Sequence, residues 1–210
     1  MIDLYTYTTP NGRKPAILLE ELELPYTIHK IDIGKGDQFS PDYIAINPNS
    51  KIPAIHDRDT NITVFESGAM MLYLAEKTDK LLPKDTAARF RAIEWLMFQM
   101  ASVGPMFGQL GHFRHAAPEK LPYAINRYEK ETLRLLGVLD RQLATTPYIA
   151  GDYSIADIAT YPWIVATATS YLHDVPNVKR WVETLEARPA VQTGMAILTP
   201  TFNSAYGTLA

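Results

Sequence analysis

Two short segments combine residue types that suit the capture of a small peptide: Pro48-Asn49-Ser50-Lys51-Ile52-Pro53-Ala54-Ile55 and Phe65-Glu66-Ser67-Gly68-Ala69. Proline at 53 has no amide to donate. A cis peptide bond before it would turn Ile52 outward with its N–H and C=O free to pair with a bound peptide as an added strand. At Glu66-Ser67 a strand gives way to a helix, and helix-start amides make an anion site. The Ser67 N–H and hydroxyl would take a carboxylate while Glu66 accepts from an ammonium beside it, which together match an α-amino acid head group. The alternative is that Glu66 and Ser67 only cap the helix. Cysteine is absent from the chain, which removes disulfides, thiolate metal sites and any protein thiol nucleophile. Sulfur chemistry here must use the sulfur of a ligand.

These segments need elements to position them. Short apolar runs rich in β-branched residues at Ile2-Leu4, Ile28-Ile33, Ile52-Ile55 and Ile62-Phe65 read as strands. Between the first two, Arg13 to Leu22 has a proline in its first turn and apolar residues at helical spacing. Asp57 to Asn61 is a polar turn suited to an antiparallel hairpin, and Glu66 to Thr78 reads as a helix buried on most faces. The order is β-α-β, a connection, then β-β-α. Residues 81–87 read as a linker, which predicts a first domain over 1–80 and an all-helical second domain over 88–210.

In the second half, Ala88 to about Phe113 reads as one long helix kinked at Gly104-Pro105. Tyr123 to Leu143 carries Ile125, Tyr128, Thr132, Leu135, Leu139 and Leu143 at spacings of three and four, the stripe of a packed helix. Helices also fit Ile155–Ala168 and Asn177–Ala187, the latter stopped by Arg188-Pro189. The small, polar stretch from Thr199 to Ala210 predicts no regular element.

Other groups read as structural. Ser154-Ile155-Ala156-Asp157 has the spacing of a capping box, so Asp157 is not taken as a general base. Tyr5 and Tyr7 alternate onto the same face of a strand, as candidates either to activate a ligand thiol or to pack. His112 and His115 lack a third ligand, so no metal is expected and His112 is read as pocket rim. A chain of 210 residues that is 47% hydrophobic and 20% charged is ordinary for a globular protein, and its net charge of −3 argues against a nucleic-acid partner. Met1 leads into Ile2-Asp3-Leu4-Tyr5 without a basic and apolar leader, and no run suits a membrane span, so a cytoplasmic location is expected.

Taken together, Ile52-Pro53 before a hairpin, Glu66-Ser67 opening the next helix and the Gly151-Asp152-Tyr153-Ser154-Ile155-Ala156-Asp157 box resemble the cytosolic glutathione transferases, over roughly residues 1 to 198. Within them, Tyr7-Thr8-Thr9-Pro10-Asn11-Gly12-Arg13-Lys14, Gly34-Lys35-Gly36-Asp37-Gln38-Phe39 and Gly104-Pro105-Met106-Phe107-Gly108-Gln109 are similar to the bacterial nu class and its Ure2p-like relatives. The resemblance implies an α/β thioredoxin-like first domain (βαβ-ββα), an all-α helical-bundle second domain and a homodimer. It implies glutathione, reduced or oxidised, as the bound substrate.

By residue, it implies Asn11 and Thr9 beside the glutathione sulfur. Gln38, Lys51 and the main chain of Ile52, next to Pro53, would contact the glycyl and cysteinyl parts, and Glu66 and Ser67 the γ-glutamyl end. Arg127 would reach a glutathione carboxylate, and Phe107, His112 and Phe113 would contact the co-substrate. Asn11 cannot remove a proton, but its NH₂ can donate to a thiolate and lower the thiol pKa, with Thr9 as a second donor. The implied activity is disulfide reduction, conjugation of glutathione to an electrophile, or both. The alternative is a glutathione-binding regulatory or scaffold protein without turnover.

Overall fold

The computed structural model describes residues 1–210. The chain divides into two compact units, one formed by Met1–Lys80 with Glu186–Ala210 and the other by Leu81–Leu185.

The first unit begins with strand β1 (Ile2–Thr6), helix α1 (Pro10–Glu21) and strand β2 (Tyr26–Lys30). Thr9 is the N-cap of α1 and Pro10 its first residue, which starts the helix three residues ahead of the expected Arg13. Ala16, Ile17, Leu18 and Leu19 are fully buried and fix α1 to the sheet. The connection after β2 holds a 3₁₀ turn (Asp37–Phe39) and the short helix α2 (Pro41–Ile46), capped by Ser40, whose hydroxyl accepts from the Tyr43 amide at 3.3 Å. Strands β3 (Ala54–Asp57) and β4 (Ile62–Phe65) form the expected hairpin, and α3 (Ser67–Thr78) follows. The Ile52-Pro53 peptide bond is cis.

The second unit is helical. Helix α4 (Thr86–Phe98) is capped by Asp85, whose Oδ1 accepts from the Ala88 amide at 3.0 Å. A π-helical turn (Gln99–Val103), α5 (Gly104–Gly111) and a second π turn (His112–Ala116) continue it. The single kinked helix expected from Ala88 to Phe113 is thus a helix with two π insertions. Pro105 has no N–H for the ladder, and the π turn lies immediately before it, closed by the Gly104 amide on the Gln99 carbonyl. Helix α6 (Pro122–Leu143) buries Thr132, Leu135, Leu136, Leu139 and Leu143.

Helix α7 (Ile155–Thr167) opens on the reciprocal Ser154–Asp157 box, and a 3₁₀ turn (Thr169–Asp174) leads to α8 (Pro176–Glu186). Asp157 is fully buried and accepts from the Ile149 and Ser154 amides at 2.9 and 3.0 Å and from Trp181 Nε1 at 2.8 Å. Burial pushes its carboxyl up to about 6 against the opposing pull of these donors.

The chain then returns to the first unit, whereas the sequence reading assigned everything from 88 to 210 to the second. Helix α9 (Pro189–Met195) packs so closely on α1 that a Cβ at Gly194 would stand 2.5 Å from the Ile17 Cα. Arg188 grips Glu21 with two bonds of 2.7 and 2.8 Å. Strand β5 (Gly207–Leu209) adds to the sheet beside β2, in the tail expected to lack regular structure. Its anchor is the buried Glu20, which accepts from the hydroxyls of Tyr26 (2.7 Å) and Ser204. At the other end of the expected linker, Leu81 belongs with the helices, its carbonyl accepting from the Ile155 amide at 3.1 Å.

The five-stranded sheet has the order β4-β3-β1-β2-β5. β1 is parallel to β2 and antiparallel to β3, β3 is antiparallel to β4, and β2 is parallel to β5.

Candidate functional site

Strand register decides which loops meet. Tyr5 of β1 stands opposite Ala54 of β3, and Ala54 opposite Phe65 of β4, so the end of β1, the start of β3 and the end of β4 lie level. Thr6 is level with Lys30, which brings the end of β2 to the same side. Four segments therefore leave the sheet together: Tyr7–Asn11 into α1, Ile31–Gln38 after β2, Lys51–Pro53 into β3, and Glu66–Ser67 into α3. Of the residues singled out from sequence, Thr9, Asn11, Gln38, Lys51, Ile52, Pro53, Glu66 and Ser67 all belong to this end of the sheet.

The turn into α1 is packed against β1. A Cβ at Gly12 would stand 2.1 Å from the Tyr7 carbonyl oxygen, so only glycine fits. The Thr6 hydroxyl donates to the Gly12 carbonyl at 3.0 Å. Thr9 Oγ1 accepts from the Gly12 amide at 3.1 Å, which uses a lone pair and leaves the hydroxyl hydrogen to donate. Tyr5 stacks on His29 with ring centroids 4.6 Å apart, and the Lys30 ammonium lies 5.6 Å over the Tyr7 ring. Burial raises the Tyr5 phenol above its ordinary value, the wrong direction for activating a thiol.

The strand-start segment is held by its own carbonyl. Lys51 O accepts from the Tyr43 hydroxyl and from Asn47 Nδ2, both at 2.6 Å. Burial pushes the Tyr43 hydroxyl up to about 12, keeping it a donor at any working pH. Ile52 follows, ahead of the β3 ladder that begins at Ala54, and its backbone N–H and C=O take part in no hydrogen bond. Gln38 Nε2 donates to Ile33 O at 3.5 Å, and its Oε1, shielded from solvent, has no hydrogen-bond partner. Both residues carry groups whose hydrogen-bonding capacity is unspent.

Glu66 sits at φ 71°, ψ 115°, a region that costs a non-glycine residue about 1–3 kcal/mol, and its side chain makes no capping bond to α3. The capping alternative for Glu66 therefore loses its geometric basis. Ser67 is 4% exposed and its Oγ accepts from Lys14 Nζ at 3.3 Å.

Lys14 is the residue that sequence reasoning passed over within its own motif. It is 1% exposed, and burial pulls its amine down to about 7 while the neighbouring Glu66 carboxylate works the other way. The available signal was its phase. Lys14 stands three and four residues before Ile17 and Leu18, on the face that α1 buries.

The remaining candidates are in the helical unit. Arg127 lies with Met106, Tyr123, Lys130 and Arg134 around a groove of ≈ 1070 Å³ along α6. Arg134 is already engaged there by Glu131 through bonds of 2.7 and 2.8 Å. Phe113 stacks on Tyr128 at 5.6 Å, and His112 is exposed beside it. Phe107 is fully buried in the helical core, which corrects its assignment as a co-substrate contact: its ring packs, and no surface of it is open. Side chains in groups of three or more able to hold a metal do not occur.

Two family models match in sequence, the glutathione S-transferase N-terminal domain over residues 8–77 and the C-terminal domain over 122–184. The chain belongs to the glutathione S-transferase family. It is 48% identical to the disulfide-bond oxidoreductase YfcG of Escherichia coli K12, over 94% of this chain and 95% of that protein. It is 43% identical to the oxidoreductase YghU of the same organism, over 93% and 74%. A solved transferase from Burkholderia graminis with two glutathione molecules bound per subunit superposes with a TM-score of 0.90 at 44% identity, covering 95% of this chain and 89% of that one. One from Pseudomonas putida with a glutathione disulfide bound per subunit superposes at 0.89 and 43% identity, covering 94% and 91%. The thioredoxin-like first domain and helical second domain are the fold of this family.

Proposed function

We propose that this protein reduces small disulfides with glutathione, in the manner of the nu-class and Ure2p-like transferases, with conjugation of electrophiles as a second activity of the same site. The observation that carries the reading is the convergence at one end of the sheet of an unspent backbone pair at Ile52, the start of helix α3 at Ser67 and the Thr9–Asn11 turn, in a chain with no thiol of its own. Support comes from relatives named disulfide-bond oxidoreductases and from solved neighbours that hold two glutathiones or one glutathione disulfide.

The tripeptide lies with its cysteinyl backbone on Ile52, beside Pro53, and its γ-glutamyl head on Glu66 and Ser67. Its glycyl end is against Lys51 and Gln38, whose unpartnered Oε1 suits a ligand N–H. Thr9 and Asn11 donate to the sulfur and favour the thiolate. That thiolate attacks one sulfur of a disulfide, forming a mixed disulfide and expelling the other sulfur, which takes up a proton. A second glutathione thiolate then attacks the glutathionyl sulfur of the mixed disulfide. Glutathione disulfide forms and the second substrate thiol leaves. Both sulfurs of each exchange come from ligands, so the missing cysteine is no obstacle.

Within the helical unit, Arg127 offers a cation for a carboxylate, and His112 and Phe113 offer aromatic surface for a co-substrate. Two copies form a homodimer, for which exposed Ile62 and Phe65 on the edge strand β4 and Phe90 and Met97 on α4 supply apolar surface. Glutathione is kept reduced in the cytoplasm, the proposed location.

The test is glutathione-dependent reduction of 2-hydroxyethyl disulfide coupled to glutathione reductase, for wild type and Asn11→Ala. Wild type turns over well above the uncatalysed rate, and Asn11→Ala loses about 10²-fold in kcat, the scale of removing one donor to a developing anion. A wild type that binds glutathione but gives only the uncatalysed rate restores the regulatory reading.

A further inference from the structure

Asparagine is followed by glycine at one place in the chain, Asn11-Gly12. The fold leaves no alternative to glycine there, because a Cβ at 12 would stand 2.1 Å from the Tyr7 carbonyl oxygen and 2.5 Å from Thr6 Oγ1. The pair carries a chemical weakness. With no side chain on the second residue, its backbone nitrogen can approach the asparagine Cγ, and a five-membered imide closes with loss of ammonia. Packing demands the glycine and the reaction proposed above uses the asparagine, so the weakness falls on the sulfur donor.

Both polar groups of the buried Gly12 are held by threonines. Its amide donates to Thr9 Oγ1 at 3.1 Å, and its carbonyl accepts from the hydroxyl of fully buried Thr6 at 3.0 Å. Asn11 is the second residue of α1, and the Arg13 amide donates to the Thr9 carbonyl at 3.0 Å across it. Ring closure needs what this arrangement withholds. The Gly12 nitrogen must lose its proton, and a hydrogen bond given by the N–H favours the protonated form. The nitrogen must then swing toward Cγ, which breaks the bond to Thr9, and the flat imide takes the Asn11 backbone out of the helical basin.

Going beyond the glutathione reading, we propose that Thr6 and Thr9 clamp the Gly12 peptide and thereby protect Asn11 from deamidation, and that Asn11 is the site at which this protein ages when the clamp opens. The only co-reactant is water. The Gly12 nitrogen gives its proton to solvent and bonds to Asn11 Cγ, the Cγ–Nδ2 bond breaks, and the leaving nitrogen takes up a proton and departs as ammonia. Water then opens the imide. Attack at Cγ restores the main chain with aspartate at 11, and attack at the main-chain carbonyl leaves isoaspartate, with the chain running through its β-carbon. Either product sets a carboxylate where the glutathione reading has a donor, and a negative charge beside the sulfur raises the thiol pKa. That loss of activity rests on the role of Asn11, whereas the ring closure does not.

The experiment incubates the whole chain at pH 8.5 and 37 °C as wild type, Thr9→Val, Thr9→Ser, Thr6→Val and Ser40→Ala, beside a synthetic peptide of residues 7–16 as the unclamped reference. Mass spectrometry of digests reads the share of Asn11 converted with time, and the disulfide assay reads the same aliquots. Asn11 in wild type converts more slowly than in the peptide by about tenfold or more, since closure must wait for local opening. Thr9→Val speeds it about fivefold, the factor in open population that corresponds to the roughly 1 kcal/mol of a lost N-cap. Thr9→Ser keeps the capping oxygen and the wild-type rate. Thr6→Val accelerates conversion by a smaller factor, since it frees the carbonyl and not the attacking nitrogen. Ser40→Ala removes the same kind of cap from α2 and leaves Asn11 at the wild-type rate.

The proposal is overturned if wild type converts as fast as the peptide, a comparison that needs no variant to fold. It is overturned equally if Thr9→Val converts at the wild-type rate, or if Ser40→Ala accelerates conversion as much as Thr9→Val, which would trace the effect to general loss of stability. In wild type, conversion and loss of disulfide reduction run together. Conversion without loss of activity supports the clamp and removes Asn11 from the sulfur.

Discussion

At the start of α7, Ser154 and Asp157 turn their oxygens onto backbone amides of their own segment, and the indole of Trp181 takes what is left of the carboxylate. At the start of α3, Glu66 and Ser67 bring the same two functional groups in adjacent positions. There the acid caps nothing, the backbone is strained, and the hydroxyl is met by a lysine from another helix. Spacing separates the two outcomes. Three residues apart, the acid reaches back to the cap and every group is satisfied within the fold. Adjacent, neither can serve the other, and the positive φ at Glu66 carries a cost in stability that α7 does not.

That contrast can be broken most forcefully at α7. Asp157→Ala strips partners from two buried amides and from the Trp181 indole, so about 3–5 kcal/mol of unfolding free energy is lost, read by urea denaturation. The glutathione affinity of the folded fraction is unchanged. Ser67→Ala has the opposite profile, weakening glutathione by about 2 kcal/mol in calorimetry while stability moves by less than about 1 kcal/mol. Equal stability losses in the two variants would erase the distinction.

The pH response sharpens it further. Asp157 has a folded pKa of about 6 against 3.8 for the ordinary carboxyl, so the folded state holds the proton more tightly. Its contribution to stability is full below pH 3.8 and is lost as pH rises through 6. The stability gap between wild type and Asp157→Asn is therefore larger at pH 5 than at pH 7.5 by roughly 1 kcal/mol, on denaturation curves at both pH values. Smallest is Glu66→Gly, which relieves the positive φ. It raises the unfolding free energy by up to about 1 kcal/mol and weakens glutathione binding in the same protein. A gain in both would deny that the strain serves a ligand.

How much of this was legible in the chain follows from the range of the interactions. The βαβ-ββα order, the α7 box and the α6 stripe are local patterns, written in proline placement, β-branched runs and a spacing of three or four residues. β5 has no such signature: three residues whose pairing with β2 spans some 180 positions cannot announce themselves by periodicity. The π turns flanking α5 keep the helical spacing of apolar residues and so pass for continuous helix. The placement of Ile52, Glu66 and Ser67 at one end of the sheet was readable because a proline before a strand and an acid–serine pair before a helix are unusual locally. Lys14 was not, because a lysine is taken for surface unless its phase on the helix is counted, and Phe107 erred the other way, its motif suggesting a pocket where packing makes a core.

The level ending of β1, β3 and β4 has a consequence for how this scaffold can be altered. Every segment assigned to the ligand leaves the sheet at one end, so the hairpin tip at Arg58–Asn61 and the Glu23–Pro25 connection, at the other end, are separated from it by the length of the strands. At Glu23–Pro25 the Pro25 carbonyl accepts from the Ile2 amide at 3.2 Å and the Leu24 amide donates to Leu19 O at 3.1 Å, so a loop or fluorescent reporter grafted there must keep both bonds. The hairpin tip is already committed, since Arg58 grips Asp3, and Asp59 pairs with the terminal ammonium of Met1 and with Lys77.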